Sequence, residues 1–212
     1  MKKVIKKPFK IAAWSYVLFL ILSTIFGFLI RGQGIVPYDY NSPPVLIFLS
    51  VLCILISFVL LLLIFYGFIL LGKKFNNNLL SRVSVLGIFI FTIYTIYILF
   101  GGLLLNVPVL PTADNYESWS QDQINGPQQL GTFILIGYIV MSIVLGVVWI
   151  LFGISLLRLR KKIKYAKSAG ILNIITGATL FIFIGYLIAI PALIMEIMLL
   201  FEASRRFEKN KK

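Results

Sequence analysis

AGILNIITGATLFIFIGYLIAIPALIMEIMLLFEAS, residues 169–204, is a 36-residue apolar stretch with one acid deep inside it, Glu196, and a second, Glu202, near its end. As a single helix it would be about 54 Å long at about 1.5 Å per residue. That is too long for one ordinary crossing of a hydrocarbon core of about 30 Å and slightly short for two. Whether it crosses once or doubles back decides the number of spans and the side on which the tail emerges. Gly185 and Pro191 offer a break, the first by its permissive backbone and the second by its missing donor, so a reversal near 185–190 is expected.

Charge selects the doubled reading. Lysine and arginine number five before the first apolar run, one (Arg31) in the first gap, three (Lys73, Lys74, Arg82) in the second and none in the third; six follow at 158–167, and five lie in the tail. Six crossings place 19 of them on one side and one on the other; five crossings give 14 and six, because the tail changes side. Cytoplasmic loops are the ones enriched in Lys and Arg, so six spans with both termini cytoplasmic are expected, at about 11–30, 45–71, 84–105, 131–157, 169–185 and 189–204. The last two would form a tight hairpin. Residues 106–130 would be an external loop, and Pro108, Pro111 and Pro127 argue against a regular element through its whole length. Its Asp114, Glu117 and Asp122, interleaved with Tyr116 and Trp119, read as a solvated loop with an interfacial aromatic rather than as a calcium site.

The composition agrees. The chain has 212 residues, 60% hydrophobic and 13% charged, whereas a soluble domain is about half apolar and about a quarter charged. The fold class is therefore an all-α integral membrane bundle, one polytopic domain over 1–212. The opening MKKVIKKPFK has the basic character of a signal-peptide n-region, but the apolar run after it is about 20 residues long and lacks a small-residue cleavage site, so it reads as an uncleaved first span. A net charge of +13 does not point to nucleic acid, because the charges sit in short gaps between apolar runs and form no polar patch.

Histidine is absent and Cys53 is the single cysteine. The commonest general base, the commonest metal ligand and every Ser-His or Cys-His pair are thereby removed. No enzyme, cofactor or metal is expected.

Three intramembrane polar residues form the candidate site. An ionisable group within a span is costly and normally faces protein or water. Glu196 shares a helical face with Ala189, Ala192 and Ala203, and the preceding span offers a matching face of Ala169, Asn173 and Gly177 with Thr176 adjacent. A hydrogen bond from Glu196 to Thr176 or Asn173 is expected. One reading makes the carboxyl a pin between helices; the other makes it part of a proton or cation relay, weakened by the lack of a second intramembrane acid or base.

Arg158, Arg160, Lys161, Lys162, Lys164 and Lys167 form a basic cluster beside a span. Such a cluster fixes orientation and can also contact anionic lipid headgroups. Ser142, Gly146 and Gly153 make a small-residue stripe suited to close packing within the protomer. The first functional hypothesis is thus a non-enzymatic membrane protein acting through packing with lipids, with partner membrane subunits or with its own copies; the second is a small transporter or channel using Glu196.

FYGFILLGKKFNNNLLSRVSVLGIF at 65–89 echoes LFGISLLRLRKKIKYAKSAGILNII at 151–175, each a span end, a basic loop and the start of the next span. GFILLGKKFNNNLL and the closing hairpin from Ser168 to Ala203 together resemble multi-span membrane proteins of archaea and some bacteria grouped under domain-of-unknown-function labels. The resemblance implies a similar helical fold and a prokaryotic cell-membrane location, and it carries no activity and no functional residues.

Overall fold

A computed structural model describes residues 6–32, 44–104, 121–180 and 184–209. Among the described residues the structure is six helices, with turns at 75–77 and 158–165: α1 (Lys6–Gly32), α2 (Pro44–Lys74), α3 (Asn78–Leu104), α4 (Gln121–Leu157), α5 (Ala166–Thr179) and α6 (Ile184–Lys209). Five of the six, all but α5, are long and apolar enough to cross a membrane.

Successive helices run antiparallel and close into a ring. Phe65 of α2 meets Phe91 of α3, Gly153 and Gly146 of α4 meet Gly170 and Gly177 of α5, and Asn173 of α5 meets Glu196 of α6. The ring closes where α6 returns to α1, with Trp14 edge-on to Phe201 at 5.8 Å. Ile11, Trp14, Leu18, Phe48, Leu52, Val59, Phe89, Ile143 and Val147 all face outward. A polar exterior is what water requires; this exterior suits lipid.

The α2–α3 turn follows from FNNN at 75–78. Asn76 takes a left-handed conformation at φ 53°, which asparagine tolerates better than most residues. The Asn77 N–H then donates to the Gly72 carbonyl at 2.8 Å and the Asn76 N–H to the Lys73 carbonyl at 3.4 Å, the paired bonds that close a helix C-terminus. Asn77 also caps α3: its Oδ1 accepts from the Leu80 N–H at 3.2 Å. Its Nδ2 donates to the Ser155 carbonyl of α4 at 2.7 Å. One residue thus closes one helix with its backbone and, with its side chain, starts the next helix and holds a third.

The closest helix contact lies between α4 and α5. A Cβ on Gly177 would lie 2.4 Å from the Gly146 carbonyl oxygen, and one on Gly170 would lie 2.8 Å from that of Gly153. Two glycines seven residues apart on each helix therefore let the backbones touch, as small residues do between membrane helices. The packed core beside this contact is aromatic, with Phe68 and Phe152 at 4.8 Å and 86° and Tyr16 against Phe68.

Three expectations require correction. The reversal expected at 185–190 lies inside α6, which begins at Ile184. Gly185 serves close approach instead, since a Cβ there would lie 2.6 Å from the Leu180 backbone. Pro191 is accommodated within the helix. Second, the expected fifth span is shorter: α5 has 14 residues and rises about 21 Å, because it starts at Ala166, ahead of 169, but ends at Thr179, well short of 185. Third, residues 121–130 of the expected loop are helical, including Asp122 and Pro127, so α4 starts ten residues before 131. Pro127 lies in the second turn, where it forfeits a single donor in a helix of 37 residues. The rest of that loop, with Asp114, Tyr116, Glu117 and Trp119, lies outside the described residues.

Gly177→Val should lower stability by about 1–3 kcal/mol, since overpacking forces backbones apart. Ile175→Val, on the outward side of the same helix, should change it by less than about 0.5 kcal/mol. Thermal unfolding of both variants in detergent measures the difference.

Candidate functional site

Glu196 is fully enclosed, with 1% of its surface exposed. Its position follows from the pattern of α6: Ala192, Glu196, Leu199, Leu200 and Ala203 are all buried on one stripe, spaced as a helical face requires. The two alanines keep that stripe narrow enough for neighbouring helices to approach.

α5 supplies the second component. Asn173 is fully buried, and its Nδ2 donates to Glu196 Oε1 at 2.5 Å and to the Ala169 carbonyl at 2.8 Å. Both amide protons are used, which fixes the amide orientation, since a flip would set its oxygen against the Ala169 carbonyl.

α1 supplies the third. The Tyr16 hydroxyl donates to Glu196 Oε2, so each carboxyl oxygen accepts from a different helix. Glu196 therefore ties α1, α5 and α6 at one point. The apolar windows of α1 and α6 run Pro8–Ile25 and Leu187–Arg206, which puts Tyr16 and Glu196 both at mid-window.

Of the expected partners, then, Asn173 bonds to Glu196 and Thr176 does not. Thr176 is buried, yet its Oγ1 has no hydrogen-bond partner, and neither has Asn173 Oδ1. The earlier reversal bears on the difference: the Thr176 carbonyl lies beside Gly185, so Thr176 stands level with the start of α6, whereas Glu196 lies further along that helix. Tyr16 is the partner that sequence reasoning missed. The available signal was a mid-span tyrosine two residues after the small pair Ala12–Ala13 and Trp14, since a buried phenol normally finds a polar partner.

The basic cluster is ordered. Leu159 and Ile163 are buried anchors, while Arg158, Arg160, Lys161, Lys162, Lys164 and Lys167 are exposed around them. Short turns hold the segment, including Leu159 N–H to Leu156 O at 2.8 Å and Lys162 N–H to Leu159 O at 2.8 Å. Lys162 ties it to the α2–α3 turn through Nζ to the Phe75 carbonyl at 3.1 Å. Arg206 ties it to α6: its Nη1 donates to the Lys162 carbonyl while its Nε meets Glu202 Oε1 at 3.0 Å. The N-terminal end of α1, both of these turns and the C-terminal end of α6 accordingly share one end of the bundle. Among the described lysines and arginines, Arg31 alone lies at the other end.

Among the described residues no three His, Cys, Asp or Glu side chains gather as a metal site. Comparison with family models, with curated proteins and with solved structures gives no match, so functional inference rests on this geometry.

Asn173→Leu should destabilise by about 1–2 kcal/mol, because it strips Glu196 of a donor in a place without water. Thr176→Val removes a hydroxyl that has no partner and should be neutral or stabilising by up to about 1 kcal/mol. Unfolding midpoints of the two variants in one detergent separate these outcomes.

Proposed function

We propose that the chain is a non-enzymatic integral membrane protein of six crossings, with both termini in the cytoplasm, that acts through contacts with membrane lipids and with partner membrane subunits or its own copies. The observation that carries this reading is the combination of an apolar exterior with a basic end. The outward face is apolar on α1–α4 and α6, and the exposed lysines and arginines gather where the bundle would meet headgroups. Positive charge on the cytoplasmic side supports the orientation, and attraction to an anionic leaflet supports lipid contact by Arg158, Arg160, Lys161, Lys162, Lys164 and Lys167. α5, at 14 residues, would be the short fifth crossing. A cell-membrane location belongs to the same proposal. In this reading Glu196 is a pin, and it binds the closing hairpin to α1.

A second reading, a small transporter or channel using Glu196, draws on two unpartnered buried atoms of α5, Thr176 Oγ1 and the Oδ1 of Asn173, whose amide donates to that carboxyl. Unsatisfied buried polar atoms mark places where a structure accepts cost for some other end. Glu196→Gln distinguishes the readings. The Tyr16 hydroxyl can rotate to accept from the new amide while Asn173 still donates to the remaining oxygen, so a pin survives the exchange with its stability nearly intact. The transporter reading requires proton or cation flux into liposomes from the parent protein and its loss in a folded variant.

Orientation has its own check. In a Cys53→Ser background, a thiol introduced by Ser118→Cys should react with an impermeant reagent on intact cells, whereas one introduced by Lys211→Cys should react only after the membrane is opened. Labelling of the latter on intact cells would contradict six crossings.

A further inference from the structure

At the basic end a cleft of about 260 Å³ opens between the start of α5 and α6, lined by Tyr165, Met198, Phe201, Glu202 and Arg205. Four of these stand at 198, 201, 202 and 205, spacings of three, four and seven that place them on one face of α6. Tyr165, immediately before α5, forms the opposite wall. Trp14 of α1 rests edge-on against Phe201 and is itself 52% exposed, so an interfacial aromatic stands beside the cleft.

The cleft changes character along its length. Arg205 and Glu202 stand nearer the helix end, and Met198 lies seven residues deeper, about 10 Å along the axis at about 1.5 Å per residue. Its upper part is thus charged and its floor is thioether and phenyl. The two charged residues are not equivalent. Glu202 is engaged by Arg206, which is also held by the Lys162 carbonyl. Arg205 is exposed, with no hydrogen bond or ion pair among the described residues. The pairing of Glu202 with Arg206 leaves the Arg205 guanidinium as the group able to meet an incoming anion, and a guanidinium matches the paired oxygens of a phosphate.

We propose that this cleft holds one anionic phospholipid, its phosphodiester on Arg205 beside Tyr165 and the first part of an acyl chain along Phe201 and Met198. The inference rests on membrane insertion with this end at the headgroup level, and it adds a discrete site to the diffuse attraction of the basic segment. A free phosphate would satisfy only the upper half. The polarity gradient requires an amphiphile, and the positive end selects an anionic one.

Native mass spectrometry of the full chain in detergent, with phosphatidylglycerol added, tests this. One lipid should be retained at low molar excess, and Arg205→Gln should weaken its retention by about fivefold, the effect of one charge at such a surface. Lys73→Gln removes an equal charge from the same end, outside the cleft, and should leave that first lipid in place. Met198→Asp, which puts an acid on the floor, should also lower retention, and glycerophosphoglycerol, which lacks acyl chains, should not displace the lipid. Equal losses from Arg205→Gln and Lys73→Gln would overturn the site in favour of diffuse attraction, as would displacement by the acyl-free headgroup or equal retention of phosphatidylcholine. Failure of the membrane reading would register separately, as parent protein that remains soluble once detergent is withdrawn.

Discussion

A carboxyl group in the middle of an apolar helix must find its hydrogen-bond partners inside the protein, because neither lipid nor a packed core supplies any. The rest of this fold can be understood as meeting that demand. Glu196 takes one donor from α1 and one from α5, and neither can reach it unless the final apolar stretch has folded back on itself. Doubling back brings Asn173 alongside α6. Ring closure brings Tyr16 to the other oxygen. A single buried acid thus selects one arrangement of three helices from many that would bury apolar surface equally well, a role in which polar groups specify structure more than they stabilise it.

Close approach makes that arrangement possible. α5 is the shortest helix of the six and presents a face of Ala169, Gly170, Asn173, Thr176 and Gly177, all buried. Its glycines let it lie against the backbone of α4, and its asparagine then points at α6. The helix too short to satisfy a simple count of spans is therefore wedged between two long ones. Its position reflects contact on both sides rather than apolar length. At the basic end the linkage Phe75–Lys162–Arg206–Glu202 joins both turns to the last helix, so that end is held by directional bonds, while the outward flanks of the helices depend on apolar packing and on their surroundings.

Much of this was legible in the residues. Apolar run lengths gave α1, α2 and α3 to within a few residues at most ends, and the charge distribution implied that the chain after residue 168 doubles back, which α5 and α6 do. Asn173 as a partner of Glu196 followed from matching small-residue faces. What could not be read depended on geometry between distant segments. Tyr16 is 180 positions from Glu196, and no spacing rule links them. The place of the reversal is hidden because Gly185 and Pro191 read as breakers. Glycine also serves where a backbone must come near, and a helix packed on both sides can carry an interior proline despite the lost bond and the ring's clash with the preceding turn. Thr176 reads as part of the site because it adjoins the face of Asn173 and Gly177, but adjacency on a helix does not fix which neighbour a side chain meets. The triple role of Asn77 was hidden in a run of three asparagines, whose cap and turn chemistry is a recognisable signal but whose contact to Ser155 is not.

The dependence of α1 on Glu196 is the point at which the account is most exposed. A double-mutant cycle on Tyr16→Phe and Glu196→Leu, read as unfolding free energy in detergent, measures it directly. A shared bond predicts coupling of about 0.5–1.7 kcal/mol, with the double variant losing less than the two single losses combined. Losses that add to within about 0.3 kcal/mol would mean that the two side chains do not share a bond, and the three-helix tie would be wrong.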